Sequence, residues 1–155
     1  MSQTDKKLEQ MGITLPKKDR RGQGIVAVRQ YNDLLYVSGH GPTDPSGKPA
    51  YKGKVGADLT VEEGYQAARL CGVNILAAVR EYIGDLDRID SVIKVFGLVA
   101  SGPDFFEQPA VMHGFSDLMV EVLGDRGLHA RSAMGTCCLP NNIPVEVDAI
   151  FKIRS

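Results

Sequence analysis

The stretch LTVEEGYQAARLCGVNILAAVREYIG, residues 59–84, constrains the fold more than any other. Thr60 suits an N-cap, and Glu63 three residues later completes a capping box. Ala68, Cys71, Ile75, Ala78 and Ile83 keep one apolar face at helical spacing, and Gly84 supplies the stop. The helix leads straight into DSVIKVFGLVAS, residues 90–101, rich in β-branched residues and apolar enough for a strand covered on at least one face. A helix feeding a strand this directly implies helices packed on a sheet.

The rest of the chain extends the pattern. IVAVRQYNDLLYVSG, residues 25–39, holds two apolar runs around Asn32-Asp33. Asn and Asp tolerate the positive φ of tight turns, so a β-hairpin is expected. HGPTDPSGKPAYKGKVGAD, residues 40–58, reads as a long surface loop. A second helix is expected over 104–124, capped by Asp104, with Pro109 tolerated early in it. Its buried stripe is Val111, Phe115, Leu118, Met119 and Val122. Two strands follow, about 130–138 and 145–153, joined by LPNNIP. The expected fold is α+β: a β-β-α-β-α-β-β mixed sheet with the helices on one face. In front, residues 3–12 suit a short helix, and LPKKDRRGQG an exposed arm. At 155 residues with no dividing linker, a single domain spanning 1–155 is expected, residues 1–22 forming the helix and arm.

Composition removes several functions. The net charge of −1 supplies no basic field for nucleic acid. No apolar run reaches membrane-spanning length, and MSQTDKKLEQMG lacks the apolar core of a signal peptide. Three cysteines, two of them adjacent, make a poor disulfide framework and fit a reducing cytoplasm. Neighbours on a strand face opposite ways, so Cys137 and Cys138 read as core packing rather than as metal ligands. No metal or cofactor is expected.

The chemistry concentrates near the C-terminus. HARSAMGTCCLPNNIPVEVDAIFKI, residues 129–153, is mostly small and apolar, yet carries Arg131 and Glu146 on its two expected strands. Arg is rarely buried without a partner, and its planar fork suits a carboxylate or phosphate. Were LPNNIP to return the chain as a hairpin, both groups would point into one cleft; a structural cross-strand ion pair fits the spacing equally well. Asp148 shares a strand face with Glu146. His40, at a strand end, is either a pocket residue titrating near neutrality or a structural one. His113 and His129 read as structural.

YVSGHGP, NILAAV, HARSAMG and CCLPNNIPVEVDAI occur in an order and spacing that resemble the YjgF/RidA family, also called endoribonuclease L-PSP. The resemblance runs from about residue 12 to the C-terminus, and the lead-in GITLP is similar to a less-characterised branch. It implies a chorismate-mutase-like fold assembled as a homotrimer with ligand clefts between subunits. It also implies hydrolysis of reactive enamines and imines of small amino acids to 2-oxo acids and ammonia, without cofactor or metal. Arg131 would clamp the substrate carboxylate and Glu146 would orient or deprotonate water. Gly39, His40, Ile25, Met112, Phe115 and Ala133 would line the substrate site. Several of these depart from the RidA pattern: Ile25 replaces a Tyr, Pro109 and Met112 an Asn and a Tyr, Ala133 a Cys, and His40 a Gln. A rebuilt lining points to a bulkier or more apolar ligand. It also keeps open a non-catalytic protein that binds a small carboxylate and regulates a partner. The absence of a basic-aromatic stripe argues against a ribonuclease.

Overall fold

The structure, a computed structural model, describes residues 1–17 and 21–155. The middle of the expected arm, residues 18–20, lies outside the described residues. Helix α1 (Gln3–Gln10) opens with a capping box between Ser2 and Asp5. A short ladder of β1 (Arg21–Gly22) and β2 (Ile25–Val26) precedes the main sheet. Strands β3 (Val28–Tyr31) and β4 (Leu34–His40) form the expected hairpin, with Asn32 at φ 51° in the turn. Helix α2 (Val61–Ile83) carries the Thr60/Glu63 capping box and ends at Gly84. Strand β5 (Ile89–Ala100), helix α3 (Gln108–Leu123), strand β6 (Ala130–Thr136) and strand β7 (Val145–Ile153) complete the fold.

The five-stranded sheet has the order β3-β4-β7-β5-β6. Only β5 and β6 run parallel, and α3 supplies the crossover that a parallel pair needs. This corrects the hairpin reading of LPNNIP. The segment turns through Pro140–Asn142 and carries the chain past β5 into the middle of the sheet. The reason lies in β7 itself. Val145, Val147, Ala149, Phe151 and Ile153 are all buried on one face, so this strand stabilises most when paired on both edges.

Helices α2 and α3 pack side by side on one face of the sheet, enclosing Ile75, Leu76, Met112, Phe115, Val95 and Phe151 in one continuous core. They approach closely at Gly114, where a Cβ would lie 2.0 Å from the Tyr65 carbonyl oxygen of α2. Helix α3 starts later than expected, at Gln108, without a side-chain cap and with Pro109 in its first turn. The loop after β4 also differs from a free surface loop. Val55 is fully buried, its N–H donates to the Ala100 carbonyl, and the Gly53 N–H donates to the Asn142 carbonyl. Asn74, buried on α2, donates to the Gly41 and Thr43 carbonyls and fixes the start of this loop. Helix α1 docks through Asp87, which accepts from the Gln3 and Thr4 N–H groups and the Thr4 hydroxyl.

Candidate functional site

Arg131 sits on edge strand β6, in register with Val95 of β5. Residues opposite each other in a ladder share a face. Val95 is fully buried under the helices, so Arg131 rises on the helix side, at the rim. Its Nη1 lies 3.1 Å from His113 Nδ1 and 3.1 Å from Ser116 Oγ, both on α3. Ser116 Oγ is in turn 2.9 Å from His129 Nε2, and His129 Nδ1 is 2.7 Å from the Gly127 carbonyl oxygen.

These contacts fix the proton positions. A carbonyl only accepts, so His129 carries its proton on Nδ1 and its Nε2 accepts the Ser116 hydroxyl. The Ser116 lone pair and His113 Nδ1 are then left to accept from Arg131. Burial pushes the His129 pKa down; the bond to Gly127 opposes this and the charge of Arg131 adds to it, so the ring is neutral at neutral pH. Burial also lowers the Arg131 pKa, against the pull of Asp117, yet a guanidinium stays protonated in proteins. Among the described residues no carboxylate lies within ion-pair distance of Arg131. Its Nη1 is aimed by the His113 ring nitrogen and the Ser116 hydroxyl.

Glu146 occupies a different place. It pairs with Leu98 across β5, half-buried on the sheet face that carries no helix. Its carboxylate lies against the β4 bulge, where a Cβ on Gly39 would stand 3.1 Å from Glu146 Oε2. Glycine is what lets the two strands and the carboxylate fit. Asp148, opposite Phe96 on the same face, has its pKa raised by burial. Ile25, 62% exposed, lines a shallow groove of about 460 Å³ with Arg29, Tyr36 and Ser38. Within one chain, Arg131 and Glu146 therefore stand on opposite faces with β5 between their strands, and they make no cross-strand ion pair.

The remaining expected site residues divide. Ala133 lies two residues beyond Arg131 and is partly buried against the core. Met112 and Phe115 are fully buried, with Met112 packed over Gly97, so they are core rather than exposed lining. An amphipathic helix stripe was bound to look like pocket lining as much as core. His40 is 1% exposed and its Nδ1–H donates to the Ser38 carbonyl at 2.6 Å, which places the ring in the interior. Sequence reasoning missed Ser116 and gave His113 and His129 no part in holding Arg131. The available signal was the polar pair His113/Ser116, one turn apart on the helix.

Among the described residues no group of three metal-ligating side chains converges, and no helix is long and apolar enough to cross a membrane.

Residues 22–150 match the family model described as "YjgF/chorismate_mutase-like, putative endoribonuclease". The chain belongs to this family. It is 38% identical over 149 residues to protein TCP17 of Trypanosoma cruzi, covering 96% of this chain and 92% of that protein. The crystal structure of Atu1372, a protein of unknown function from Agrobacterium tumefaciens, is 45% identical with a TM-score of 0.91, covering 98% of this chain and 94% of that one. YyfA of Yersinia pestis, from the conserved Rid protein family, shares the fold at 18% identity, TM-score 0.64, covering 90% of this chain and 95% of that one. The mixed sheet with helices on one face is thus the YjgF/Rid fold.

Proposed function

We propose that this YjgF-family member hydrolyses reactive imines and enamines of small amino acids, releasing a 2-oxo acid and ammonia. The observation that carries the reading is Arg131: a guanidinium held by His113 and Ser116, with no carboxylate within ion-pair distance among the described residues. An α-imino acid brings the missing carboxylate, and a bidentate clamp fixes its orientation. Water then adds to the imine carbon, and the C–N bond breaks as nitrogen leaves as ammonia. Glu146 orients that water or takes its proton. The reaction consumes only water.

The two residues point to opposite sides of their own sheet, so a shared site needs Arg131 from one copy and Glu146 from another. A homotrimer that closes the open sheet faces against one another supplies that arrangement and covers the apolar groups left there. Gly39 and Ile25 then line the Glu146 side and Ala133 the Arg131 side. Met112 and Phe115 act from beneath, by setting the position of α3.

The test measures 2-oxo acid release from 2-imino acids generated in situ by an amino-acid oxidase. Acceleration over the uncatalysed rate, lost by at least about 100-fold in both Arg131→Ala and Glu146→Ala, is expected. No acceleration with any imino acid contradicts the enzyme reading. Retained binding of a small carboxylate in that case would assign a non-catalytic, regulatory binding protein built on the same Arg131 seat.

A further inference from the structure

Cys137 and Cys138 fall just beyond β6, which ends at Thr136. The expectation of opposed, core-packing thiols is corrected here. Both cysteines are free and exposed, and their Sγ atoms lie 3.8 Å apart. On a continuing strand they would diverge. Instead the chain bends, with the Thr136 hydroxyl donating to the Cys138 carbonyl, and both thiols come to one side. Cys71, the remaining cysteine, is buried in the core.

Cys137 lines a groove of about 550 Å³ together with Lys54, Phe105, Phe106, Gln108 and Thr136. Phe106 is 80% exposed there, a large apolar side chain with no packing role in the chain itself. The neighbouring Cys137 holds the Cys138 pKa up, against the weaker pull of the Lys54 ammonium.

The spacing selects the ligand chemistry. A pyramidal trivalent centre holds two thiolates a little closer than a tetrahedral one, so exposed Sγ atoms 3.8 Å apart need only a small side-chain rotation to chelate it. Closing the thiols on each other is less favourable. A disulfide prefers Cα atoms at least about 4.4 Å apart, whereas neighbours across a trans peptide are fixed at about 3.8 Å. A bridging atom relieves that misfit. Soft sulfur donors favour soft, thiophilic centres, and the aromatic groove beside them accepts an aryl substituent.

We propose that Cys137 and Cys138, with Phe105 and Phe106, form a binding site for an aryl-substituted trivalent arsenical. The step balances without redox change. An arsonous acid R–As(OH)₂ exchanges two As–O bonds for two As–S bonds; each thiol proton leaves on a hydroxide as water, and arsenic stays trivalent. Because the second bond forms within the protein, chelation exceeds single-thiol capture by about 100-fold or more. This site is separate from Arg131 and does not depend on the imine-hydrolysis reading.

Phenylarsine oxide added to the full chain tests the proposal, read by intact mass in excess monothiol. The expected result is a one-to-one adduct that monothiol does not remove and a small dithiol does. Cys137→Ser and Cys138→Ser should each weaken retention by at least about 100-fold. Cys71→Ser should leave it unchanged, and Phe106→Ala should weaken it several-fold. A wild type without a monothiol-resistant adduct, or one that persists in either single serine variant, overturns the chelate. Full retention in Phe106→Ala overturns the part assigned to the groove.

Discussion

The two faces of the sheet are made from the same strands but finished differently. On the helix side, Val95, Val99, Val147, Ala149 and Phe151 are buried by α2 and α3, and the core is complete within one chain. On the other side, Phe96, Leu98 and Ile150 remain only half-buried, Met134 and Tyr36 are exposed, and Glu146 and Asp148 sit among them. Period-two alternation separates the two sets along each strand. The contrast shows that an apolar strand residue does not by itself report a closed core. The chain closes one face alone and leaves the other as a surface on which burial raises the Asp148 pKa.

The largest difference between the faces should appear in stability. Phe115→Ala on the helix side should cost about 3–5 kcal/mol, because it opens a cavity in a closed core. Leu98→Ala on the open face should cost the isolated fold less than about 1 kcal/mol while lowering assembly measured by light scattering. Equal losses of unfolding free energy in the two variants, by denaturant titration, would erase the distinction between the faces.

A smaller effect concerns the rim where Arg131 stands. Ser116→Ala removes one of the two groups that aim the guanidinium, leaving its charge intact. Carboxylate affinity should fall several-fold, seen as a higher KM or Kd, with kcat changed less, and Ser116→Thr should restore part of it. An unchanged KM would make the Ser116 contact incidental.

The smallest effect is a pH dependence. His129 has a lowered folded pKa, so the unfolded chain takes up a proton first as pH falls. Stability present above about pH 6.5 should decline as pH drops through the lower folded value. His129→Gln should flatten melting temperature across that window. Asp87 sets a second window. Partial burial raises its carboxyl pKa, but the Thr4 and Gln3 hydrogen bonds and the charge of Arg126 prevail and hold it below the usual range. Its share of α1 docking should hold above about pH 4 and fade below that.

What was legible in the sequence was local. The Thr60/Glu63 capping box, the Asn32-Asp33 turn, the strand-helix order and the helices on one face all follow from patterns within a few residues. The strand order was not legible, since nothing in LPNNIP says whether β7 pairs with β6 or crosses β5. The same gap kept Arg131 and Glu146 together on paper when the register sets them on opposite faces. Met112 and Phe115 are fully buried in the chain, which the sequence did not separate from pocket lining, because a helix stripe looks alike whether it meets a core or a ligand. Val55 was hidden in a Gly- and Lys-rich loop whose composition reads as solvated. The Cys137-Cys138 bend depends on where β6 stops, and strand ends are set by tertiary contacts rather than by the residues alone.

The most direct measurement mixes two inactive chains. Arg131→Ala and Glu146→Ala proteins are unfolded together at equal amounts, refolded and assayed for 2-oxo acid release. If each site joins Arg131 of one copy to Glu146 of the next around a trimer, random co-assembly restores about a quarter of wild-type activity. No restoration, with mixed assemblies confirmed by mass, would place both residues' action within single chains and contradict the shared site.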